Sequence, residues 1–225
     1  SLEDENTLES AQHAVALGVD LVENDIYITK DQQLVVMHDD TVNRTTKATG
    51  KIEQMTLAQV QQLRTKNNNY HVPTLAEYFS TFKSTQNFAL MIEIKSTSPK
   101  LVPALKTVID QYGVADRVVI TSFNRDQIQQ VKNQIPTLST GILIQNMPSS
   151  SQPLISSRQV LAEAQQYNSS YHPPYRADLV KLFAETQHRG VTYWPWNLNE
   201  TSFKQLYVAG INGVTTNFAQ LYAKY

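Results

Sequence analysis

Apolar and polar positions alternate most clearly over residues 18–40, which read GVDLVENDIYITKDQQLVVMHDD. Two extended apolar runs, 19–28 and 34–37, flank a short polar turn. Because side chains alternate along a strand, Glu23 and Asp25 are predicted to point to the same face. Two carboxylates held together on an apolar strand repel each other and lose hydration, so the pair favours a bound cation. A solvated strand edge is the alternative interpretation.

The rest of the chain alternates between strand and helix patterns with short connections. This predicts one α/β domain over residues 1–225 with a parallel sheet. We predict strands at 19–28, 88–95, 118–123, 138–144, about 168–172, 191–197 and 213–216. We predict helices at 1–17, 56–63, 73–82, 99–112, 125–134, 160–167, 177–188, 200–209 and 218–224, with Thr56 and Thr74 as N-caps.

The predicted strand ends carry polar side chains. They are Glu23, Asp25, Glu93, Lys95, Ser122, Trp194, Asn197, Thr216 and Asn217. In an eight-stranded α/β barrel the active groups gather at the carboxyl ends of the strands, so this set is coherent for a site. Oxygen ligands of this kind suit Ca²⁺ or Mg²⁺. His38 follows the second apolar run, and imidazole is the side chain best suited to move a proton near neutral pH.

Several residues keep a structural interpretation. Glu93 and Lys95 could form an ion pair alone, and Ser122 could be a hydrogen-bonding group at a strand end. His13, His71 and His172 are interpreted as surface histidines. One of the two tryptophans, Trp194 and Trp196, is expected to pack in the core, and Trp194 is the one chosen to line a site.

Composition and charge exclude several classes of function. The chain has 225 residues, a net charge of −1 and no cysteine. The charge and the absence of a basic block argue against nucleic acid and anionic membranes as partners. The lack of cysteine excludes disulfides, thiolate zinc sites and cysteine nucleophiles. No apolar run approaches the ~18 residues of a membrane span, and the N-terminus has no signal-peptide character.

Taken together, the motifs resemble the glycerophosphodiester phosphodiesterase family. They are ENTLES, the run 18–46, VPTLAEYF, MIEIK, TSF, WPWN and GINGVTTN, in the family's order from about Glu5 to the C-terminus. The resemblance implies a TIM barrel that binds one divalent cation, Ca²⁺ or Mg²⁺. It also implies hydrolysis of glycerophosphodiesters, as small-molecule substrates, to glycerol 3-phosphate and an alcohol.

The resemblance assigns roles residue by residue. It implies that Glu23, Asp25 and Glu93 are the metal ligands and that His38 is one of two acid/base histidines. Lys95, Trp194, Glu5 and Asn6 would bind substrate, with Lys95 neutralising the phosphate. Asp4 stands where the family usually has proline, and Pro195-Trp196 replaces the commoner Thr-Val.

One departure concerns the family's first strand, which ends in His-Arg-Gly and supplies the second histidine. The pattern in these residues begins after that strand, so we expect seven of eight strands, weak metal binding and slow turnover. His188-Arg189-Gly190 spells the same tripeptide between a helix and a strand, on the opposite face of a barrel from the chemistry, and is interpreted as coincidence.

Two other functions stay open. One is a barrel that binds glycerophosphoryl groups without catalysis, and the other is a phospholipase of the sphingomyelinase D type, whose usual disulfide loops this chain cannot form. The alcohol released, the cation and the compartment are also open, and a membrane would be reached only through an upstream anchor.

Overall fold

The structure, a computed structural model, describes residues 3–85, 88–145 and 153–220. It divides into two units, Ser1–Leu138 and Ser139–Tyr225. The first unit contains α1 (Leu8–Ala16), β1 (Leu21–Ile28), β2 (Leu34–Val36), α2 (Leu57–Val60), α3 (Leu75–Phe82), β3 (Ala89–Ile94), α4 (Leu101–Tyr112), β4 (Val118–Ser122) and α5 (Arg125–Gln134). The second contains β5 (Ser139–Leu143), α6 (Pro153–Tyr167), β6 (Ser170–His172), α7 (Leu179–Thr186) and α8 (Glu200–Val208).

In the first unit, β1 is the strand around which the sheet is built. It pairs antiparallel with β2 and parallel with β3, and β3 pairs parallel with β4. The register places Asp25 opposite Glu93. Side chains on one face of the sheet, such as Ile26 and Ile92, enter a core with the helices. Tyr27, on the opposite face, packs in a second cluster beneath residues 35–72.

Threonine caps set the starts of three helices in this unit. Thr7, Thr56 and Thr74 each accept a hydrogen bond from the backbone three residues later, and each forms a reciprocal capping box. The predicted caps Thr56 and Thr74 are confirmed. The prediction of helix from residue 1 is wrong, because Asn6 has a φ of 56° and α1 begins only at Leu8. Residues 3–7 therefore precede the helix and are not part of it.

In the second unit, β5 pairs parallel with β6. The predicted strand at 191–197 is wrong: over these described residues only isolated bridges form, from Tyr193 to Tyr171 and from Trp196 to Pro174. Pro195 has no N–H for a ladder and Asn197 has a φ of 62°, so the extended run cannot continue.

Other boundaries in this unit also differ from prediction. Residues 213–216 form no strand in the described structure, and Thr215 N donates a single backbone bond to Pro195 O. Helix α6 begins at Pro153 rather than at residue 160. The predicted helix 218–224 lies mostly outside the described residues.

His172 is buried, which corrects its interpretation as a surface histidine. It is 1% exposed, and its Nε2 is hydrogen-bonded to Ser170 Oγ at 2.7 Å. Its ring lies against Gly141, where a Cβ would come within 2.2 Å of Nε2. The ring also stacks on Trp194, with ring centres 6.1 Å apart. The absence of a side chain at Gly141 therefore creates the space that His172 occupies.

We predict that Gly141→Ala destabilises the protein by about 1–3 kcal/mol, because the added methyl overpacks a buried ring. Urea unfolding of Gly141→Ala, His172→Ala and the double variant measures this cost. The added methyl should cost much less in the His172→Ala background. Equal costs in both backgrounds would show that His172 is not the group displaced.

Burial lowers the pKa of His172 from 6.5 to about 3. The folded state therefore keeps the ring neutral, whereas the unfolded chain takes up a proton below pH 6.5. We predict that this contribution to stability is complete above pH 6.5. It should then fall by up to about 1.4 kcal/mol per pH unit as the pH drops toward 3. The free energy of unfolding against pH should be flatter for His172→Gln than for the exposed-histidine control His188→Gln. The same acid sensitivity in both variants would contradict the assignment.

Candidate metal and phosphate site

Strands β1 and β3 bring three carboxylates together. Glu23 and Asp25 lie two residues apart on β1, and Glu93 is paired with Asp25 across to β3. Each of the three offers an oxygen, and these oxygens all lie within 4.8 Å of one another. Asp25 and Glu93 are 3% and 8% exposed. The structure therefore confirms the predicted alternation, which puts Glu23 and Asp25 on one face of β1. The register between β1 and β3 brings Glu93 next to them.

The electrostatics of this trio show excess negative charge. Burial, followed by the Asp25 and Glu93 carboxylates, holds the pKa of Glu23 well above its usual value. Burial and the Asp25 carboxylate raise the pKa of Glu93 to about 7. A divalent cation would remove this penalty, and a cluster of carboxylate oxygens is the donor set that Ca²⁺ and Mg²⁺ prefer. The residues present fit such an ion.

Lys95 lies beside the trio at the end of β3. Its Nζ is 3.0 Å from Glu93 Oε1 and 3.6 Å from Asp25 Oδ1. Burial alone would lower the pKa of Lys95, but the Glu93 and Asp25 carboxylates outweigh it and the net pKa is raised. The ammonium is therefore held charged, yet one positive charge cannot offset three carboxylates.

Asn6 fixes the orientation of Asp25 from the N-terminal segment. Its Nδ2 donates to Asp25 Oδ2 at 2.9 Å, and its Oδ1 accepts from the backbone N of Asp25 at 3.0 Å. The structure thus gives Asn6, which was expected to bind substrate, a contact with a candidate metal ligand. The positive φ of Asn6 turns its side chain onto β1.

His38 lies at the end of a chain of charged contacts. Its Nδ1 is 2.7 Å from Asp39 Oδ1. Arg44 donates to Asp39 through Nε at 2.6 Å and Nη2 at 3.0 Å, and to Glu5 through Nη1 at 2.8 Å and Nη2 at 2.6 Å. The structure thus connects Glu5, expected to bind substrate, to His38. Sequence reasoning gave no role to Asp39 or Arg44, although both lie in the run 18–46 that contributes to the family resemblance.

The two tryptophans both lie in the second unit and are both partly buried. Trp194 stacks on His172, and its indole lies against Gly213, where a Cβ would come within 2.7 Å of the ring. Trp196 Nε1 donates to His172 O at 3.0 Å. Neither ring is fully buried, so the expectation that one tryptophan packs in the core while the other faces the opposite side is wrong.

Two further expectations are resolved by hydrogen bonding and position. Ser122 is buried and its Oγ donates to Ile94 O at 2.8 Å, so it is a hydrogen-bonding group at a strand end. The tripeptide 188–190 lies in the second unit, where a short 3-10 helix, Gln187–Arg189, ends at Gly190 with a φ of 76°.

The sequence profile of the Glycerophosphoryl diester phosphodiesterase family matches residues 1–221. The chain belongs to this family. It is 31% identical to a glycerophosphodiester phosphodiesterase of Caldanaerobacter subterraneus over 95% of this chain and 88% of the relative. It is 27% identical to one of Bacillus subtilis over 98% of this chain and 81% of the relative. The prediction of an enzyme of this kind is confirmed.

Solved structures share the fold. A phosphodiesterase of Oleispira antarctica, in complex with the product sn-glycerol-3-phosphate, superposes with a TM-score of 0.84 at 23% identity, covering 98% of this chain and 90% of that one. A related structure from Silicibacter pomeroyi gives a TM-score of 0.84 at 20% identity, covering 98% and 88%. The predicted α/β TIM-barrel class is confirmed. None of the helices that the structure describes combines the length and apolar character needed to cross a bilayer.

The carboxylate trio generates a prediction for metal binding. Ca²⁺ or Mg²⁺ at 100 times its Kd should stabilise the protein by about 2.7 kcal/mol, because the ion binds the folded trio and not the unfolded chain. Glu23→Gln should raise the stability of the metal-free protein, by removing one repelling charge, and abolish the gain with metal. Thermal unfolding with each ion and with EDTA measures both effects.

The matched control is Asp110→Asn, which removes an exposed carboxylate that pairs with Lys106 on α4. It should keep the full gain with metal. A Glu23→Gln variant that retains the gain would contradict the assignment of this carboxylate as a ligand.

Proposed function

We propose that this chain hydrolyses glycerophosphodiesters to glycerol 3-phosphate and an alcohol in a reaction that depends on one divalent cation. The observation that carries the proposal is the trio of Glu23, Asp25 and Glu93 with Lys95 at 3.0 Å from Glu93. This is a concentrated anionic site with one fixed ammonium, built to hold a cation against an anionic substrate. The Oleispira antarctica relative, bound to sn-glycerol-3-phosphate, supports the choice of substrate class.

In this proposal the three carboxylates hold the cation, and Asn6 keeps Asp25 in place for it. Bound there, the ion would offset the charge of the phosphodiester and polarise its P–O bonds. The ammonium of Lys95 would form an ion pair with a phosphate oxygen. Because the cation takes over the role of neutralising the carboxylates, Lys95 becomes available to the substrate.

His38 is proposed to move a proton. A hydroxyl of the substrate's glycerol attacks phosphorus, forming a new P–O bond and a cyclic phosphate as the bond to the alcohol breaks. The attacking hydroxyl loses a proton and the departing alkoxide gains one. Water then opens the cyclic phosphate to glycerol 3-phosphate. Asp39 occupies Nδ1 of His38 at 2.7 Å, so Nε2 is the nitrogen left for the transfer.

His38 serves one of the two proton transfers. The family resemblance gives the other to the histidine of a His-Arg-Gly motif, which these residues contain only at 188–190 in the second unit. Trp194 remains proposed as a substrate-binding residue, the role that the family resemblance implies for it. Within the second unit its ring is held between His172 and Gly213.

The test is release of glycerol 3-phosphate from glycerophosphoglycerol by the 225-residue chain with Ca²⁺, with Mg²⁺ and with EDTA. We expect release with one of the ions and none with EDTA. His38→Gln should lower kcat about 10²–10⁴-fold, as expected for loss of a general acid or base. His188→Gln, which changes an exposed histidine, should leave kcat unchanged.

Metal binding at the trio without any release of glycerol 3-phosphate would contradict catalysis. That result would favour a protein that binds glycerophosphoryl groups. Release of choline from sphingomyelin or lysophosphatidylcholine in preference to glycerophosphodiester hydrolysis would instead favour the phospholipase alternative.

A further inference from the structure

We propose that Arg44 is a positioning residue for His38, and that it ties the orientation of that imidazole to the N-terminal segment through Glu5. The inference rests on the proposed function, in which His38 moves a proton. It assigns a role to a side chain that would touch neither substrate nor cation.

Two carboxylates hold Arg44 in place. Three of its nitrogens make four hydrogen bonds to two carboxylates, those of Asp39 and Glu5, at 2.6–3.0 Å. Nη2 is shared between the two acids. Because the guanidinium is planar, bidentate contacts on two of its edges fix both its position and its plane. Lysine at this position could make neither pair of parallel bonds.

Arg44 in turn sets the charge and the orientation of the Asp39 carboxylate. Hydrogen bonds from Arg44, with a further one from His38, lower the pKa of Asp39 to about 2, so its carboxylate is ionised throughout the working range. Both of its oxygens accept from Arg44, and Oδ1 also contacts His38. The carboxylate therefore cannot turn about its last bond without breaking a contact with the guanidinium.

The side chain of His38 is 51% exposed. An imidazole this open has little packing to hold it, so its hydrogen bond to Asp39 determines its orientation. An ionised carboxylate can only accept, so the proton sits on Nδ1 and the lone pair on Nε2. Without Arg44, the carboxylate would be free to rotate, and the ring would lose both its orientation and its preferred tautomer.

The N-terminal segment connects this chain of contacts to the carboxylate trio. Glu5 holds Arg44, and the next residue, Asn6, holds Asp25 through two hydrogen bonds. Thr7 then caps α1, and its carbonyl accepts from Tyr78 Oη at 2.8 Å. One short anchored segment thus sets the position of a candidate ligand and of the candidate proton carrier together.

Energetics decide what the substitution should change. Arg44, Glu5 and Asp39 are 51%, 44% and 27% exposed, and ion pairs this open contribute little net stability. Arg44→Gln should therefore leave the melting temperature and the affinity for Ca²⁺ nearly unchanged. Misplacing a catalytic group, by contrast, costs up to about 10²-fold in rate.

The test compares Arg44→Gln, Arg44→Lys and Glu5→Gln with wild type. We expect kcat to fall about 10–100-fold in both Arg44 variants, with KM changed much less, and less severely in Glu5→Gln, which keeps the bonds to Asp39. The matched control is Arg64→Gln, an exposed arginine nearby that donates to the backbone carbonyls of Gln61 and Leu63. It should behave as wild type.

A spectroscopic readout separates positioning from a structural effect. Long-range ¹H–¹⁵N correlation spectra, with His38 assigned by His38→Gln, report which ring nitrogen carries the proton. In spectra recorded at a pH where the imidazole is neutral, wild type should show the proton on Nδ1, and Arg44→Gln should show a mixture of both tautomers. Arg64→Gln should give the wild-type spectrum.

The two readouts also separate this inference from the proposed function. If wild type releases no glycerol 3-phosphate but the tautomer changes in Arg44→Gln, positioning of His38 stands and the proposed function falls. If Arg44→Gln keeps both the wild-type tautomer and the wild-type kcat, the inference is overturned. A fall in kcat that accompanies an unchanged tautomer would also overturn it.

Discussion

Repulsion among three carboxylates is the constraint on which the first unit is built. The pairing of β1 with β3 places Asp25 opposite Glu93, with Glu23 two residues before Asp25 on the same strand, and most of the other residues in both strands are apolar. Two neighbouring polar side chains contact this charge. Lys95 lies beside Glu93 and Asp25, and Asn6 donates a hydrogen bond to Asp25. A bound cation would relieve an arrangement this unfavourable for the isolated protein, and function commonly opposes stability at such sites.

Local sequence rules predicted much of this unit. Alternation along β1 placed Glu23 and Asp25 on one face, and threonines 56 and 74 marked the helix starts, because both signals are confined to a few neighbouring residues. The strand register that adds Glu93, and the contact between Arg44 and Glu5, join residues far apart in the chain. No periodicity encodes such pairs, so strand-end positions and the family resemblance named most of the candidates without their connections and left out Arg44.

The second unit departed further from prediction, for physical reasons that lie in its neighbours. The aromatic run around Trp194 has strand-like composition, but Pro195 and the left-handed Asn197 leave it with isolated bridges. His172 has the residue type of a surface group, and it is buried only because Gly141 provides room and Trp194 covers the ring. Vacant space beside a glycine cannot be recognised before the strands are assembled.

Residues 3–7 join distant parts of the first unit. Glu3 accepts from Tyr70 Oη, Asp4 from Asn67 and the backbone of Asn68, and Tyr78 donates to Thr7, across 63 to 71 residues of sequence. Contacts of such long range require large loops to close. The pairing of β1 with β3, which puts Asp25 opposite Glu93, spans a similar length of chain. Detachment of residues 3–7 would therefore remove the hydrogen bonds that orient Asp25 and Arg44 without breaking the strand pairing that brings the carboxylates together.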